Sequence, residues 1–316
     1  MRVNSWPANR DYHFAPSIYR VITSGQWDLV HCQSYHTLVA PLALFAAWRA
    51  RIPYVVTFHS GGDSSCFRKA LRGAQRTVLR PLLARAKRLV CPSQWEKEIF
   101  RERLRLPDSQ FVVIPNGAHH LPQLANSGKR TKNGTLIVSL GRLERYKGHQ
   151  RVIAALPKVL ERVPDARLRI VGMGPFEPAL QKMARKFGVA ERVEIGAVLP
   201  GDGNGIAEVI AQADLVTLLS EHEAQGIVVL EALALGRPVL VARTSALQEF
   251  ADHGLARAVP LESTPEEVAA AVIKQLREPL VPANVELPTW DECASDLLAL
   301  YQSIMRRSTL PDPLST

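Results

Sequence analysis

Residues 215–242 read LVTLLSEHEAQGIVVLEALALGRPVLVA. The runs at 215–219 and 238–242 are short, apolar and rich in Val and Leu, as buried strands are, and helical spacing fills 228–235 between them. Gly226 is placed to open that helix, Gly236 to end it in the left-handed conformation, and Pro238 follows. Strand, helix and strand in one short stretch form the repeating unit of a parallel sheet.

The same alternation extends along the chain. Further strands are predicted at 29–32, 54–58, 88–91, 111–114, 136–139, 167–171 and 192–195, and helices at 40–51, 94–103, 149–162, 176–187 and 206–212. The fold class is therefore α/β, with parallel sheets covered by helices on both faces and two doubly wound, Rossmann-like domains. The stretch 118–134, AHHLPQLANSGKRTKNG, is polar and basic without periodicity, and reads as an interdomain linker. The expected division is a first domain over 1–122, a linker over 123–134, a second domain over 135–288 and a closing helix over 289–306. In that last segment Cys293, Leu297, Leu300, Tyr301 and Ile304 keep helical spacing. A doubly wound domain usually opens with a strand and a Gly-rich turn. Here residues 1–20 are irregular, so the first domain reads as incomplete at its front.

The chain has 316 residues, 47% apolar and 22% charged, which suits two soluble domains. No apolar run approaches the roughly 18–20 residues that span a bilayer, and Met1 to Arg10 lack the apolar core of a secretory signal. Four scattered cysteines without metal-type spacing read as reduced thiols of a cytoplasmic protein. The net charge is +9, and residues 68–88 supply eight basic and no acidic side chains. Arg68, Arg72, Arg76 and Arg80 recur every four residues with leucines between them, interrupted by Pro81. This basic amphipathic pattern has three readings: an anionic membrane surface, an anionic soluble acceptor, or a solvated helix face. Nucleic acid is a poor partner, because aromatic interleaving and recognition motifs are lacking.

Glu223 precedes the helix that Gly226 opens, and Glu231 lies within it, where every other residue is apolar. A helix apolar all round is expected to be buried, and a carboxylate on it needs hydrogen-bond donors, such as a ribose diol. The free N–H groups and dipole at the helix start attract phosphate. Two carboxylates around a helix N-terminus therefore suit a sugar nucleotide; the plainer alternative is a cap and a structural Glu. Arg142 and Lys147, in the Gly turn after the strand at 136–139, can converge on one diphosphate. Gly172 and Gly174 form a second turn through which ligand can approach the backbone. His59 closes the strand at 54–58, where ligand-contacting groups sit in open α/β sheets, although an isolated His there more often serves structure. His31 and His36 read as structural or peripheral. Asn116, in Pro115-Asn116-Gly117, reads as a hinge residue.

In this order the pieces resemble the GT-B retaining glycosyltransferases of glycosyltransferase family 4, which includes bacterial phosphatidylinositol mannosyltransferases and sucrose synthases. The resemblance spans about 28–260 and rests on VIPNG at 113–117, GRLERYKG at 141–148, VGMGP at 171–175 and EAQGIVVLEALALGRPV at 223–239. It implies two Rossmann-like domains facing across a cleft. The implied activity is transfer of a hexose from a nucleoside diphosphate sugar (UDP- or GDP-sugar) to a lipid-linked, polysaccharide or small-molecule acceptor, with retention and no obligatory metal or other cofactor. Arg142 and Lys147 match the diphosphate grip, Gly226, Ile227 and Val228 the helix start that meets the donor, and Glu231 the ribose contact. Glu223 matches the residue near the transferred sugar, and His59 the histidine near the reacting centre. The implied location is the cytoplasm, peripheral at the inner face of the membrane where residues 68–88 meet it. Two departures stand out. Gln225 replaces an aromatic residue of a Glu-x-Phe-Gly pattern, and the opening strand with its Gly-Gly loop is absent, which leaves a catalytically impaired sugar-nucleotide-binding protein as the alternative. A phosphorylase or epimerase on the same architecture is a third reading.

Overall fold

The computed structural model describes residues 14–35, 38–59, 66–118, 134–198, 203–283 and 285–308. The expected linker 123–134 lies almost wholly outside these, and so do the opening 1–13, His36 and the Gly61-Gly62 pair. The chain forms two compact units. Met1–Pro115 with Asp291–Thr316 makes the first, and Asn116–Trp290 the second.

The first unit carries a four-stranded parallel sheet in sequential order: β1 (Val30–Gln33), β2 (Tyr54–Thr57), β3 (Arg88–Cys91) and β4 (Phe111–Val113). Its helices are α1 (Ser17–Ser24), α2 (Val39–Arg49), α3 (Cys66–Leu83) and α4 (Gln94–Leu104). Strand side chains alternate between two cores. Tyr54, Val56, Leu89 and Cys91 face the core shared with Leu44, Leu83 and Phe100, while Val55 and Val90 face the other side. That second face is covered by the C-terminal helix α11 (Trp290–Ser308) through Ile304, Leu297 and Leu300. Burial on both faces is what an all-parallel sheet requires. α1 falls in the stretch read as irregular. It is only eight residues long, too short for periodicity to be decisive.

The second unit carries six parallel strands in the order β10-β9-β8-β5-β6-β7. They are β5 (Leu136–Leu140), β6 (Arg167–Val171), β7 (Val193–Gly196), β8 (Leu215–Leu218), β9 (Val239–Ala242) and β10 (Arg257–Val259). The helices are α5 (His149–Leu160), α6 (Glu177–Lys186), α7 (Gly203–Gln212), α8 (Ile227–Ala234), α9 (Leu247–Asp252) and α10 (Pro265–Arg277). Ile137, Leu168, Leu215 and Leu240 build one core; Val138, Val216, Val239 and Val241 build the other. Three elements of this unit went unread in the sequence, the first of them the six-residue α9. β10 is a three-residue edge strand. α10 carries a readable signal, because Thr264 and Glu267 form a reciprocal capping box.

Counted within this unit the strand order is that of the dinucleotide-binding doubly wound sheet, and it reverses between β5 and β8. Chain leaving these two neighbours departs in opposite directions and opens a crevice at their carboxyl ends. The loops there meet through Gly148, whose φ is +78° and whose Cβ position lies against the backbone carbonyl of Leu219. Gly188 also has positive φ, +68°, but open space around it. Gly148→Ala is expected to lower the unfolding free energy of this unit by about 2–4 kcal/mol, against about 1 kcal/mol for Gly188→Ala. Chemical denaturation of both variants checks this; equal effects would mean that the loop contact carries no constraint.

Candidate functional site

Three carboxyl-end loops of the second unit converge at the switch point. The loop after β5 begins at Gly141, whose N–H donates to the Val171 carbonyl at 3.0 Å. Leu143 then exchanges backbone hydrogen bonds with the loop after β6, its N–H donating to Met173 and its carbonyl accepting from Phe176, both at 2.9 Å. The Cβ positions of Gly172 and Gly174 lie against the backbones of Gly141 and Leu143 respectively. The VGMGP turn was expected to admit a ligand to its own backbone. Its glycines instead admit the β5 loop, and so hold the segment that presents Arg142.

That loop ends in one tight turn, Arg145–Lys147, whose middle residue Tyr146 is buried. The Tyr146 hydroxyl accepts a hydrogen bond from Arg142 Nη2 at 2.6 Å, and its ring lies 6.0 Å from the guanidinium and 5.5 Å from Lys147 Nζ. Burial first of all pushes the Tyr146 pKa up, so the phenol stays neutral between the two cations. The sequence brought Arg142 and Lys147 together by spacing alone. The structure adds the aromatic platform that aims both.

The loop after β8 supplies the anion. Lys147 Nζ donates to Glu223 Oε1 at 2.6 Å, with the two side chains 15% and 13% exposed. The Ser220 hydroxyl donates to the same oxygen at 2.7 Å. The Glu223 N–H donates to Ser245 Oγ at 2.9 Å, and the Thr244 hydroxyl donates to the Glu221 carbonyl at 3.1 Å, so the loop after β9 pins this one. The Glu221 N–H closes on the Tyr146 carbonyl at 2.7 Å.

Gly226, at φ +92°, caps α8 and packs against Leu247 and Phe250 of α9. The expectation that this helix is buried all round needs correcting. Val229, Leu230, Ala232 and Leu233 are buried, while Ile227 is exposed and Val228, Glu231 and Ala234 are half-buried. One stripe of α8 thus remains open from its N-terminus to Glu231. Burial alone therefore does not require a polar ligand at Glu231, as the apolar sequence had suggested.

Of two groups behind the site, one escaped the sequence reading and the other was read only as a departure from the family pattern. His149, the first residue of α5, is fully buried. Its Nε2 lies 3.3 Å from the Arg142 carbonyl and its Nδ1 2.8 Å from the Ser139 hydroxyl. The carbonyl only accepts, so Nε2 carries the proton and Nδ1 accepts from Ser139. Burial, first among the causes, lowers the His149 pKa to about 4 and keeps this neutral tautomer. Its position directly after Lys147-Gly148 was the available signal. The other group is Gln225. Its Oε1 accepts from the Asn116 backbone N–H at 2.9 Å and side-chain Nδ2 at 2.6 Å, and its Nε2 donates to the Asn116 carbonyl at 3.0 Å. The departure from an aromatic is thus a carboxamide that saturates Asn116, read from the sequence as a hinge.

His59 belongs to the first unit, following β2. Its Nε2 bonds Gln33 Oε1 at 2.8 Å, and burial lowers its pKa. His31, read as structural, joins the Thr57 hydroxyl at 2.7 Å and the Tyr301 hydroxyl at 2.5 Å, tying β1 and β2 to α11. Burial first, then His59, lowers its pKa to about 4.

Comparison with known proteins adds the following. The profile described as Glycosyl transferases group 1 matches residues 123–287, and that of Glycosyltransferase Family 4 matches residues 2–120. The chain is 27% identical to the D-inositol 3-phosphate glycosyltransferase of Nocardiopsis dassonvillei, over 95% of this chain and 77% of that protein. It is 28% identical to the phosphatidyl-myo-inositol mannosyltransferase of Mycobacterium tuberculosis, over 92% and 79%. Anabaena HepE in complex with UDP and glucose shares the fold, with a TM-score of 0.70 and 22% identity over 94% of this chain and 82% of HepE.

His149 links this geometry to a measurable pH dependence. Unfolded it titrates near 6.5, and in the fold at about 4, so between these values the unfolded chain binds the extra proton. The stability it contributes is present above pH 6.5 and is lost as pH falls toward 4. The loss amounts to about 3 kcal/mol at the acid end. The denaturation midpoint of His149→Gln should therefore fall less steeply with acidification than that of the unaltered protein; parallel slopes would rule out a neutral buried imidazole.

Proposed function

This chain belongs to the group 1 glycosyl transferases, and from that membership we propose that it moves a hexose from a UDP- or GDP-sugar, with retention, to a lipid-linked or saccharide acceptor. The observation that carries the donor half is the Lys147–Glu223 pair beside Arg142 on the Tyr146 platform, at the sheet switch point. Transfer breaks the bond between the anomeric carbon and the diphosphate oxygen and joins that carbon to the oxygen of an acceptor hydroxyl, whose proton passes to the released diphosphate or to solvent. Negative charge grows on the departing diphosphate, where fixed cations and N–H groups stabilise the transition state more than the ground state.

In this reading Arg142 and Lys147 meet the diphosphate, together with the backbone at Gly226, Ile227 and Val228. The Lys147 ammonium has three donors, so it can serve the phosphate while keeping Glu223. Glu223, held by Lys147 and Ser220, turns its second oxygen to the hexose. Glu231, on the open stripe of α8, takes the ribose diol. His59 of the first unit, uncharged by burial, hydrogen-bonds sugar or acceptor hydroxyls near the reacting centre. No metal is assigned a part.

For the acceptor, support comes from the two curated relatives, which are named for D-inositol 3-phosphate and phosphatidyl-myo-inositol. A hydroxylated acceptor carrying phosphate also fits the excess of positive charge in the first unit. Among the described residues no helix is long and apolar enough to cross a membrane, and Cys32, Cys91 and Cys293 are free thiols. We place the activity in the cytoplasm, at the inner membrane face when the acceptor is a lipid.

A thermal-shift panel of UDP-, GDP- and ADP-sugars identifies the donor, and transfer or donor hydrolysis is then measured. Arg142→Ala and Lys147→Ala are expected to lower kcat/KM about 10²–10³-fold. Glu231→Ala should raise donor KM about tenfold with kcat nearly unchanged, because ribose binding is uniform between ground and transition states. Donor binding without turnover in any acceptor mixture would replace this reading by a sugar-nucleotide-binding protein.

A further inference from the structure

Gln225 stands two residues after Glu223 and directly before Gly226, the cap of α8. Its side chain is buried, 7% exposed. Local conformation does little to fix this segment, because Gly226 has φ +92° and no side chain to restrict the backbone. The loop after β9 holds the Glu223 backbone: the Glu223 N–H donates to Ser245 Oγ at 2.9 Å, and the Glu223 carbonyl accepts from the Ala246 N–H at 3.3 Å. Lys147 and Ser220 both bond Glu223 Oε1. The direction of the second carboxylate oxygen then follows the backbone at 223–225.

The Gln225 carboxamide supplies a second anchor, through its three hydrogen bonds to Asn116. A backbone N–H only donates and a carbonyl only accepts, so the two ends of the carboxamide are assigned without ambiguity. Asn116 is itself a fixed post. It opens the segment 116–118, where the chain enters the second unit, and that segment runs beside 288–290, where the chain leaves it. The Ala118 N–H donates to the Pro288 carbonyl at 2.8 Å, and Ala118 and Thr289 form a parallel bridge. The Cβ position of Gly117 lies against the backbones of Thr289 and Trp290, so the two segments pack backbone on backbone.

We infer that Gln225 is a positioning residue for Glu223, tying the segment that carries this carboxylate to the chain crossing at Asn116. The inference rests on the reading of Glu223 as the contact to the transferred hexose. Gln225 meets no substrate in this role and acts through the backbone it holds. A shift of residues 223–226 away from Asn116 would strand the buried carboxamide and both backbone groups of Asn116, each costly to leave unpaired. An aromatic ring at this position could fill the space but could make none of these bonds. Small displacements matter here, since misplacing a reacting group by about 1 Å can cost about 10²-fold in rate.

The test pairs steady-state kinetics with backbone amide exchange on the full chain. Gln225→Leu is close in size and removes all three bonds; it is expected to lower kcat about ten- to a hundredfold while donor KM changes less than about threefold. Asn116→Ala removes the Nδ2 bond alone and should cost less than about fivefold, and the double variant should be no slower than Gln225→Leu. Gln225→Glu gives a rescue that a merely structural role would not. Ionised, it only accepts and faces the Asn116 carbonyl; protonated, it donates there again, so its kcat relative to the unaltered chain should rise from about pH 8 to about pH 6. Independently of turnover, Gln225→Leu should speed amide exchange at residues 223–228 about tenfold or more and leave β5 and β8 unchanged. The inference is overturned if Gln225→Leu keeps kcat within about twofold, if its loss falls on donor KM, if the Gln225→Glu ratio stays flat with pH, or if exchange at 223–228 is unaltered. Should the unaltered chain turn over no donor, the transferase reading fails and exchange alone decides the positioning. Should Gln225→Leu not fold, Asn116→Ala, at a half-buried position, carries the same two readouts.

Discussion

A single charged hydrogen bond, from Lys147 to Glu223, joins the two loops that leave β5 and β8 in opposite directions, and the organisation of the site follows from it. The pair is largely withdrawn from solvent. Ions so placed lose hydration, and the pair holds only if geometry and further hydrogen bonds compensate. The Ser220 hydroxyl on the carboxylate and the Tyr146 ring beside the ammonium supply that compensation. Either charge alone would sit poorly solvated, so neither side chain is free to wander. The consequence is a carboxylate and two cations fixed before any ligand arrives, which is the condition for electrostatic catalysis.

Such a pair forms only if two backbones can come close, and here glycine decides. At Gly148 a side chain would meet the Leu219 carbonyl, and at Gly172 and Gly174 it would meet the β5 loop. Glycines in βα turns invite a ligand-facing interpretation. In this chain those three serve loop-on-loop packing, while Gly226 caps α8, whose first residue Ile227 is exposed. Motif and mechanism are thus one step apart, since the glycines hold the loops that hold the charges.

Behind the loops, two buried polar side chains are held by partners on both sides. His149 satisfies a backbone carbonyl and a hydroxyl, and Gln225 satisfies both backbone groups of Asn116. A buried group so paired permits a single arrangement, because any shift strands a donor or acceptor away from water. Gln225 directly precedes the cap of α8 and follows Glu223 by two residues, so its clamp on Asn116 also restrains the segment between the candidate sugar contact and the helix start. In the first unit the His31 network plays the same part between the sheet and α11.

Much of this was legible in one dimension. Alternating apolar runs and helical spacing determined the α/β class and nine of the ten strands among the described residues, because burial on both faces of a parallel sheet imposes a local pattern. Spacing and residue type also singled out Arg142, Lys147, Glu223, Gly226 and Glu231, because caps and charge pairs around a helix start are local features. Long-range pairing is not. That α8 keeps one face open, that Tyr146 aims both cations, that Gly172 and Gly174 serve a neighbouring loop, and that Gln225 reaches back to Asn116 were decided only by the tertiary structure. Each depends on which residue, distant in the chain, is brought within hydrogen-bonding or contact distance, and no periodicity records that choice.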